Sequence, residues 1–401
     1  MGRNRMREIW IDPIFRSEEY KQHPLLTKSD LEDALTQALD QVRLNCERFD
    51  GGFPSSYTND YLYSPHQELK WTNGFWPGLI WLAYDVTKDD YFKVKGQEYS
   101  KLMREYLDQH PVAPSHHIGL LYQLSCVADY RSTGSLEARE TALLAAQALA
   151  DRYQEKGQFI QALGEVGDAA EYRLMIEGLM NLQLLFFAYK ETGEQLYLKI
   201  ARQHFHTSVK TVIRSDSSTF RSFYFDPATG HPLHGVTRRG FSDDSSWARG
   251  QAWVIYGTSL TYGGLKDPLC IDLFKGVTDY FLNELPEDHV SYWDLLFGDG
   301  DDQAKDSSAT VIAICGMHEM LKYLPEVDED KETYRYAMHD MLRSILTNYR
   351  NSQLVAGEPL LLQGVYSWQE SKGVNQGTIF GDYFYLEALV RFTKDWQSFW
   401  K

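Results

Sequence analysis

Apolar residues recur along this chain at the three- and four-residue spacing of a helix face. After Thr27, the residues Leu31, Leu35, Leu39 and Val42 fall on one stripe, as a 3.6-residue period requires. Ser29 with Glu32 reads as a capping box that opens this helix. Eleven further stretches have comparable length and pattern, at about 74–87, 90–108, 115–130, 135–155, 171–191, 194–213, 244–262, 267–283, 306–323, 330–349 and 380–396. The expected total is twelve helices.

These helices come in pairs. Tyr84, Tyr130, Tyr189, Tyr262, Tyr323 and Phe392 each end an apolar run and are followed by a short polar turn such as Arg131-Ser132-Thr133-Gly134 or Lys190-Glu191-Thr192-Gly193. Successive marks lie about 45 to 75 residues apart, the length of a helical hairpin plus a variable connection. A hairpin cannot bury its apolar face alone, so six of them are predicted to close into an all-α (α/α)6 barrel, an inner ring of helices inside an outer one. Segment 179–189, nearly all apolar, reads as inner; 135–155, amphipathic, reads as outer. The repeat alone also fits an open solenoid. Closure would leave a funnel at the end where the inner helices begin.

Two long connections break the rhythm. Residues 214–243 contain Phe220-Arg221-Ser222-Phe223-Tyr224-Phe225, a short strand candidate, followed by the turn Asp226-Pro227-Ala228-Thr229-Gly230. Residues 351–379 carry Tyr366-Ser367-Trp368-Gln369-Glu370-Ser371-Lys372-Gly373. Loops this long in a helical domain are usually functional. With no Pro-, Ser- or Gly-rich linker, a single domain over 1–401 is expected, with an N-terminal extension of about 1–26.

Charge narrows the partners. With 40 basic against 56 acidic residues, the formal net charge is −16, and no basic run offers a phosphate-binding face, so nucleic acid is not an expected partner. The sequence contains neither an 18-residue apolar run nor an apolar core behind its basic first residues, so neither a membrane span nor a signal peptide is expected. Cys46, Cys126, Cys270 and Cys315 are scattered without CxxC spacing and read as reduced core residues of a cytoplasmic protein. Aromatic residues make up 14% of the chain, enough to line a cleft that stacks on ring-shaped ligands.

One segment draws these points together: Ser246-Trp247-Ala248-Arg249-Gly250-Gln251-Ala252-Trp253. Arginine cannot shed its charge, so in an apolar helix Arg249 needs either a buried acid or an anionic ligand, and sequence leaves the two open. Arg249 and Trp253, four residues apart, are expected to share a helix face, a fixed cation beside an indole. His116-His117 and His231/His234 invite a metal, but adjacent histidines on a helix would point apart and a third ligand is missing; no metal site is expected. Asp299-Gly300-Asp301-Asp302 lacks the rest of a calcium loop and reads as a solvated turn.

Trp71-Thr72-Asn73-Gly74-Phe75-Trp76-Pro77-Gly78, Trp247 to Trp253, Ser291-Tyr292-Trp293-Asp294, Asp306-Ser307-Ser308-Ala309-Thr310 and Gly381-Asp382-Tyr383-Phe384-Tyr385-Leu386-Glu387-Ala388, in this order, resemble the bacterial unsaturated glucuronyl hydrolases of glycoside hydrolase family 88. The resemblance implies an (α/α)6 barrel whose substrate is an unsaturated acidic oligosaccharide, cut by a lyase from a glycosaminoglycan and carrying a 4,5-unsaturated uronic acid at its non-reducing end. It also implies hydration of the vinyl ether: an acid protonates C4, water adds at C5, and the hemiketal opens and expels the remaining sugar. Two aspartates do this in the family, without metal or organic cofactor.

At the positions that match those aspartates this chain carries His117, in Ser115-His116-His117-Ile118-Gly119, and Glu177, in Tyr172-Arg173-Leu174-Met175-Ile176-Glu177. They are the candidate catalytic pair, with Glu177 as acid and base. Trp71, Arg249 and Trp253 are the matching substrate contacts, while Arg221 and Arg239 replace a histidine and a glutamine. Glu177 sets its carboxylate out by one methylene, about 1.5 Å; His117 is expected to hydrogen-bond or exchange a proton near neutrality. Arg221 and Arg239 are expected to favour a more anionic ligand with Arg249, three cations converging, and to hold Glu177 ionised. Family members that accept sulfated fragments carry Ser-x-x-Ser-x-Lys; Ser367 and Lys372 match it, but Glu370 stands at the middle serine, with Ser371 as a substitute if the loop shifts by one residue. The alternative is an altered or inactive homologue that binds, or hydrolyses, a different acidic sugar.

Overall fold

The computed structural model describes residues 9–400. Twelve helices carry the architecture: α1 (Lys28–Phe49), α2 (Phe75–Thr87), α3 (Asp90–Gln109), α4 (Ile118–Tyr122, continued through a π turn at Gln123–Val127 into Ala128–Thr133), α5 (Leu136–Ala150), α6 (Gly178–Thr192), α7 (Gln195–Thr211), α8 (Ala248–Leu265), α9 (Leu269–Asn283), α10 (Ser307–Met320), α11 (Lys331–Ser344) and α12 (Ile379–Thr393). The even-numbered helices form the inner ring. Each packs on the next, and α12 packs back on α2, so the ring closes and the open solenoid is excluded. The odd-numbered helices pack outside.

Burial follows from composition. In α6 every residue from Gly178 to Ala188 is buried, as a helix surrounded by others demands. α3 and α11 bury one stripe and leave the rest to solvent. The main core runs from Ile14 to Trp400 without interruption. The four cysteines are buried in it and unpaired.

Several boundaries differ from the sequence reading. α1 is capped by Thr27 with Asp30, each side chain bonded to the other's backbone N–H, not by Ser29 with Glu32. Thr27 lies in extended backbone, φ −90° and ψ 166°, where its hydroxyl can reach the free N–H groups of the first turn. The fourth helix starts at Ile118 and the sixth at Gly178, three and seven residues later than periodicity suggests. In the second case Arg173–Met175 is a strand, β1, drawn out of the helical pattern by pairing with β2 (Ser222–Phe225), which in turn pairs with β3 (Pro232–Val236), all antiparallel. The turn at 226–230 closes through Gly230 N–H to Asp226 O at 2.7 Å. Residues 351–379 hold a second hairpin, β4 (Gly364–Ser367) and β5 (Lys372–Gln376), pinned by Trp368 stacked on Trp293 at 5.0 Å. In the N-terminal extension, Tyr20 is fully buried against the His289 ring; residues 1–8 lie outside the described residues. Among the described residues no helix is long and apolar enough to cross a membrane.

Candidate active site

The inner helices begin around one cleft, and the sequence-predicted residues gather at those starts. Glu177 immediately precedes α6. The β1–β2 pairing sets Met175 opposite Ser222, and Ile176 N–H donates to Arg221 O at 2.8 Å, so the sheet brings Arg221 alongside Glu177. Arg221 Nη2 donates to Glu177 Oε1 at 2.8 Å. Glu177 Oε2 is buried and has no partner. Burial by itself would raise this carboxyl, but the Arg221 charge and hydrogen bond outweigh it and hold it below its ordinary 4.5. The expectation that arginine keeps Glu177 ionised is thus met by direct contact.

His117 occupies the turn before α4, its backbone N–H and Nδ1 both facing Ser115 Oγ. Its ring packs on Trp71 at 5.1 Å and edge-on to His116 at 4.5 Å. Burial drives its pKa down to about 4, against a smaller opposing effect of Glu177. His117 is therefore neutral at physiological pH, not poised near neutrality as its unperturbed chemistry suggests. The two histidines also lie in this turn rather than on a helix.

Arg249 resolves in favour of the buried acid. Its Nη1 lies 2.5 Å from Asp306 Oδ2, and it donates further to the backbone oxygens of Val365 and Tyr366 at 2.6 and 2.8 Å. The guanidinium lies over Trp247 and Phe380, 4.6 Å from each ring centroid. Trp253, expected beside it, is 1% exposed and packs edge-on against Phe384. Trp253 therefore lies one turn further along α8 than Arg249, within the aromatic cluster that joins Phe384, Phe75 and Trp71.

The third arginine, in the connection between β3 and α8, reaches across to the β4–β5 hairpin. Arg239 bonds Ser367 Oγ and pairs with Glu370 at 3.0 Å, and Glu370 pairs in turn with Lys372 at 3.0 Å. Ser371, the alternative serine, lies at the hairpin turn with φ 49°. The three arginines therefore do not present bare converging charge: Arg221 has Glu177, Arg239 has Glu370, Arg249 has Asp306.

Sequence reasoning did not single out Trp247, Tyr366, Phe380 or Asp306. Trp247 lies under both Arg221, at 5.6 Å, and Arg249; Phe380 stacks on Trp71 at 5.8 Å; Tyr366 OH accepts from Trp71 Nε1 at 3.0 Å. Three of these four stand inside quoted phrases, but their meeting depends on ring closure. Trp71, Tyr366 and Phe380 thus form an aromatic cluster beside His117, and Glu177 Oε2 is a buried carboxylate oxygen without a hydrogen-bond partner.

A family model described as Glycosyl Hydrolase Family 88 matches residues 45–290. The chain is 52% identical over 395 residues to an unsaturated chondroitin disaccharide hydrolase of Streptococcus pneumoniae, covering 98% of this chain and 100% of that protein. It superposes on the crystal structure of an unsaturated glucuronyl hydrolase from Streptococcus agalactiae with TM-score 0.97 at 51% identity, covering 99% of this chain and 100% of the other. A point mutant of that enzyme, solved in complex with dGlcA-GalNAc6S, matches with TM-score 0.89 at 48% identity, covering 99% and 100%.

Proposed function

Since the chain belongs to glycosyl hydrolase family 88, we propose that it removes a 4,5-unsaturated uronic acid from the non-reducing end of lyase-generated glycosaminoglycan oligosaccharides, with Glu177 as acid and base. The single observation that carries this reading is the buried, unpaired Glu177 Oε2 beside Arg221, in a chain half identical to chondroitin disaccharide hydrolases. Trp71, Phe380 and Tyr366 offer faces for the sugar ring. Arg239 and Arg249 hold the β4–β5 hairpin in place through Ser367, Val365 and Tyr366, and in this reading Ser367, Lys372, Arg239 and Arg249 are the polar groups that meet the substrate. Four free, buried cysteines support a reducing compartment such as the cytoplasm.

The reaction has to deliver a proton to C4 and take one from the water that adds at C5. One carboxyl can do both in turn, giving its proton first and accepting one afterwards. Glu177 must then be protonated at the start of each turnover. Arg221 holds it below its ordinary value, so the ionised form, which has no proton to give, is favoured at neutral pH. Neutral His117 cannot replace it as acid; it packs the Trp71 ring and shapes the wall beside Glu177. The expected enzyme is slow at neutral pH and faster in acid. Loss of absorbance of the conjugated double bond, followed on sulfated and unsulfated unsaturated disaccharides between pH 4 and 7, tests it; no decay above buffer at any pH rejects it.

The Arg221–Glu177 pair also favours a second reading, a binding protein that has retired the acid. It predicts thermal stabilisation by the same disaccharides with no product formed.

A further inference from the structure

The inner helices end at the opposite face of the barrel, and there α6, α8 and α10 surround a second cavity of about 520 Å3, within the size range of small-molecule sites. Phe186, Tyr189, Leu260, Tyr323 and Trp400 form its walls. Gln183 also lines it; the residue is 2% exposed, and its Nε2 is buried without a hydrogen-bond partner. A buried donor left unpaired is costly, and an acceptor entering the cavity would relieve that cost. Along α6, at 1.5 Å per residue, Gln183 lies about 9 Å and Lys190 about 20 Å beyond Glu177, and the lining includes none of the residues placed at the catalytic site, so this cavity is separate from it.

Charge and shape narrow the occupant. Lys190 and Lys266 are exposed at the cavity rim, and Lys266 Nζ lies 4.3 Å from the centroid of the Tyr323 ring. Glu319, the one acid in the lining, is committed to Arg391 at 2.9 Å and Lys322 at 2.8 Å. The face offered to a ligand is therefore cationic at the rim, aromatic along the walls and a hydrogen-bond donor at the base. We propose that this end of the barrel is a second ligand site, for a planar, ring-bearing carboxylate that carries an oxygen acceptor at the end remote from its charge. The rings lie between the aromatic walls, the acceptor takes the Gln183 N–H, and the carboxylate meets Lys190 and Lys266.

The probe is 6-hydroxy-2-naphthoate, titrated into the full chain by calorimetry and by its own fluorescence. One saturable site per chain is expected, with 2-naphthol, which lacks the carboxylate, binding at least about tenfold more weakly. Gln183→Leu is expected to weaken the naphthoate about tenfold, and Lys190→Ala, at an exposed position that does not burden folding, several-fold. Gly263→Leu tests location: a Cβ there meets only Tyr323, at 3.1 Å from its hydroxyl, so the new side chain occupies the cavity and is expected to abolish binding while helix content by circular dichroism is kept. Absence of saturable binding, equal binding of 2-naphthol, or full binding to both Gly263→Leu and Lys190→Ala would overturn the proposal, whatever the catalytic cleft does.

Discussion

Arg249 and Asp306, 57 residues apart, meet as a buried ion pair, their side chains 3% and 0% exposed. The pair joins the start of α8 to the start of α10 and, through Val365 and Tyr366, to the β4–β5 hairpin. Asp306 Oδ1 also accepts from Ser308 Oγ at 2.5 Å, so its carboxylate serves both the ion pair and the first turn of α10.

Removing one partner strands the other charge in the core. Asp306→Ala is expected to cost about 3–5 kcal/mol in urea unfolding, and adding Arg249→Met is expected to return part of that loss. An Asp306→Ala loss below about 1 kcal/mol would show that solvent reaches Arg249.

The Arg221–Glu177 contact sets the pH dependence of turnover. Arg221 lowers the Glu177 carboxyl, and burial, which acts the other way, remains when the arginine is removed. Arg221→Met is therefore expected to move the acid-favoured limb of the pH–rate profile to higher pH and to raise the rate at pH 7. In stability the sign is opposite. A depressed carboxyl stabilises the fold above its unfolded value and loses that contribution as pH falls through the folded one, so the pair is lost only below about pH 4.5. An unchanged profile in Arg221→Met would remove Glu177 from the role of acid.

Behind the cleft, His116, His117 and His204 are buried. Burial lowers His117 to about 4 and His204 to about 3, and pushes His116 well below its usual value. Between pH 6.5 and 4 the unfolded chain binds protons that these folded imidazoles refuse, so stability falls with pH across that window, by up to about 1.4 kcal/mol per pH unit for each group. Thermal unfolding scans from pH 7.5 to 4.5 check this. His204→Gln is expected to flatten the slope, and a slope identical to that of the unaltered chain would contradict the assignment.

Glu370 sits between Arg239 and Lys372 and occupies both cations. Glu370→Ser is expected to release them and to raise turnover or binding of sulfated over unsulfated disaccharides several-fold, measured as the ratio of kcat/KM values. A ratio unmoved by the substitution would mean that this hairpin does not meet the sulfated sugar.

The fourfold variant His117→Asp, Glu177→Asp, Arg221→His and Arg239→Gln returns the family types to the cleft. It draws the carboxylate back by about 1.5 Å and removes the cation that keeps it ionised. Turnover of ordinary unsaturated disaccharides at pH 7 is expected to rise by at least about tenfold, since misplacement on this scale costs up to 10²-fold. A well-folded fourfold variant that is inactive, beside an unaltered protein that turns over the same compounds, would mean that these four positions are not the catalytic shell.

Periodicity by itself determined the twelve long helices and their pairing, and marked 179–189 as inner and 135–155 as outer, because a helix buried on all sides and a helix buried on one stripe leave different patterns in sequence; the short helix Ser17–Tyr20 left no such pattern. It could not place the start of α6, since Arg173–Met175 fits the helical spacing locally and becomes a strand only through hydrogen bonds to Ser222–Phe225, far along the chain. The Glu177 and Arg221 pairing was foreseeable as an attraction of charges, but not its geometry, which the same sheet imposes. Trp253 shows the limit as well: four-residue spacing puts it on the Arg249 side of α8, but its packing edge-on against Phe384 of α12 follows only from ring closure. Only ring closure decided which charge met which. Arg249 could have waited for a ligand or found an acid, and Asp306, invisible as its partner in a linear chain, is brought within 2.5 Å because neighbouring inner helices begin at the same end of the barrel.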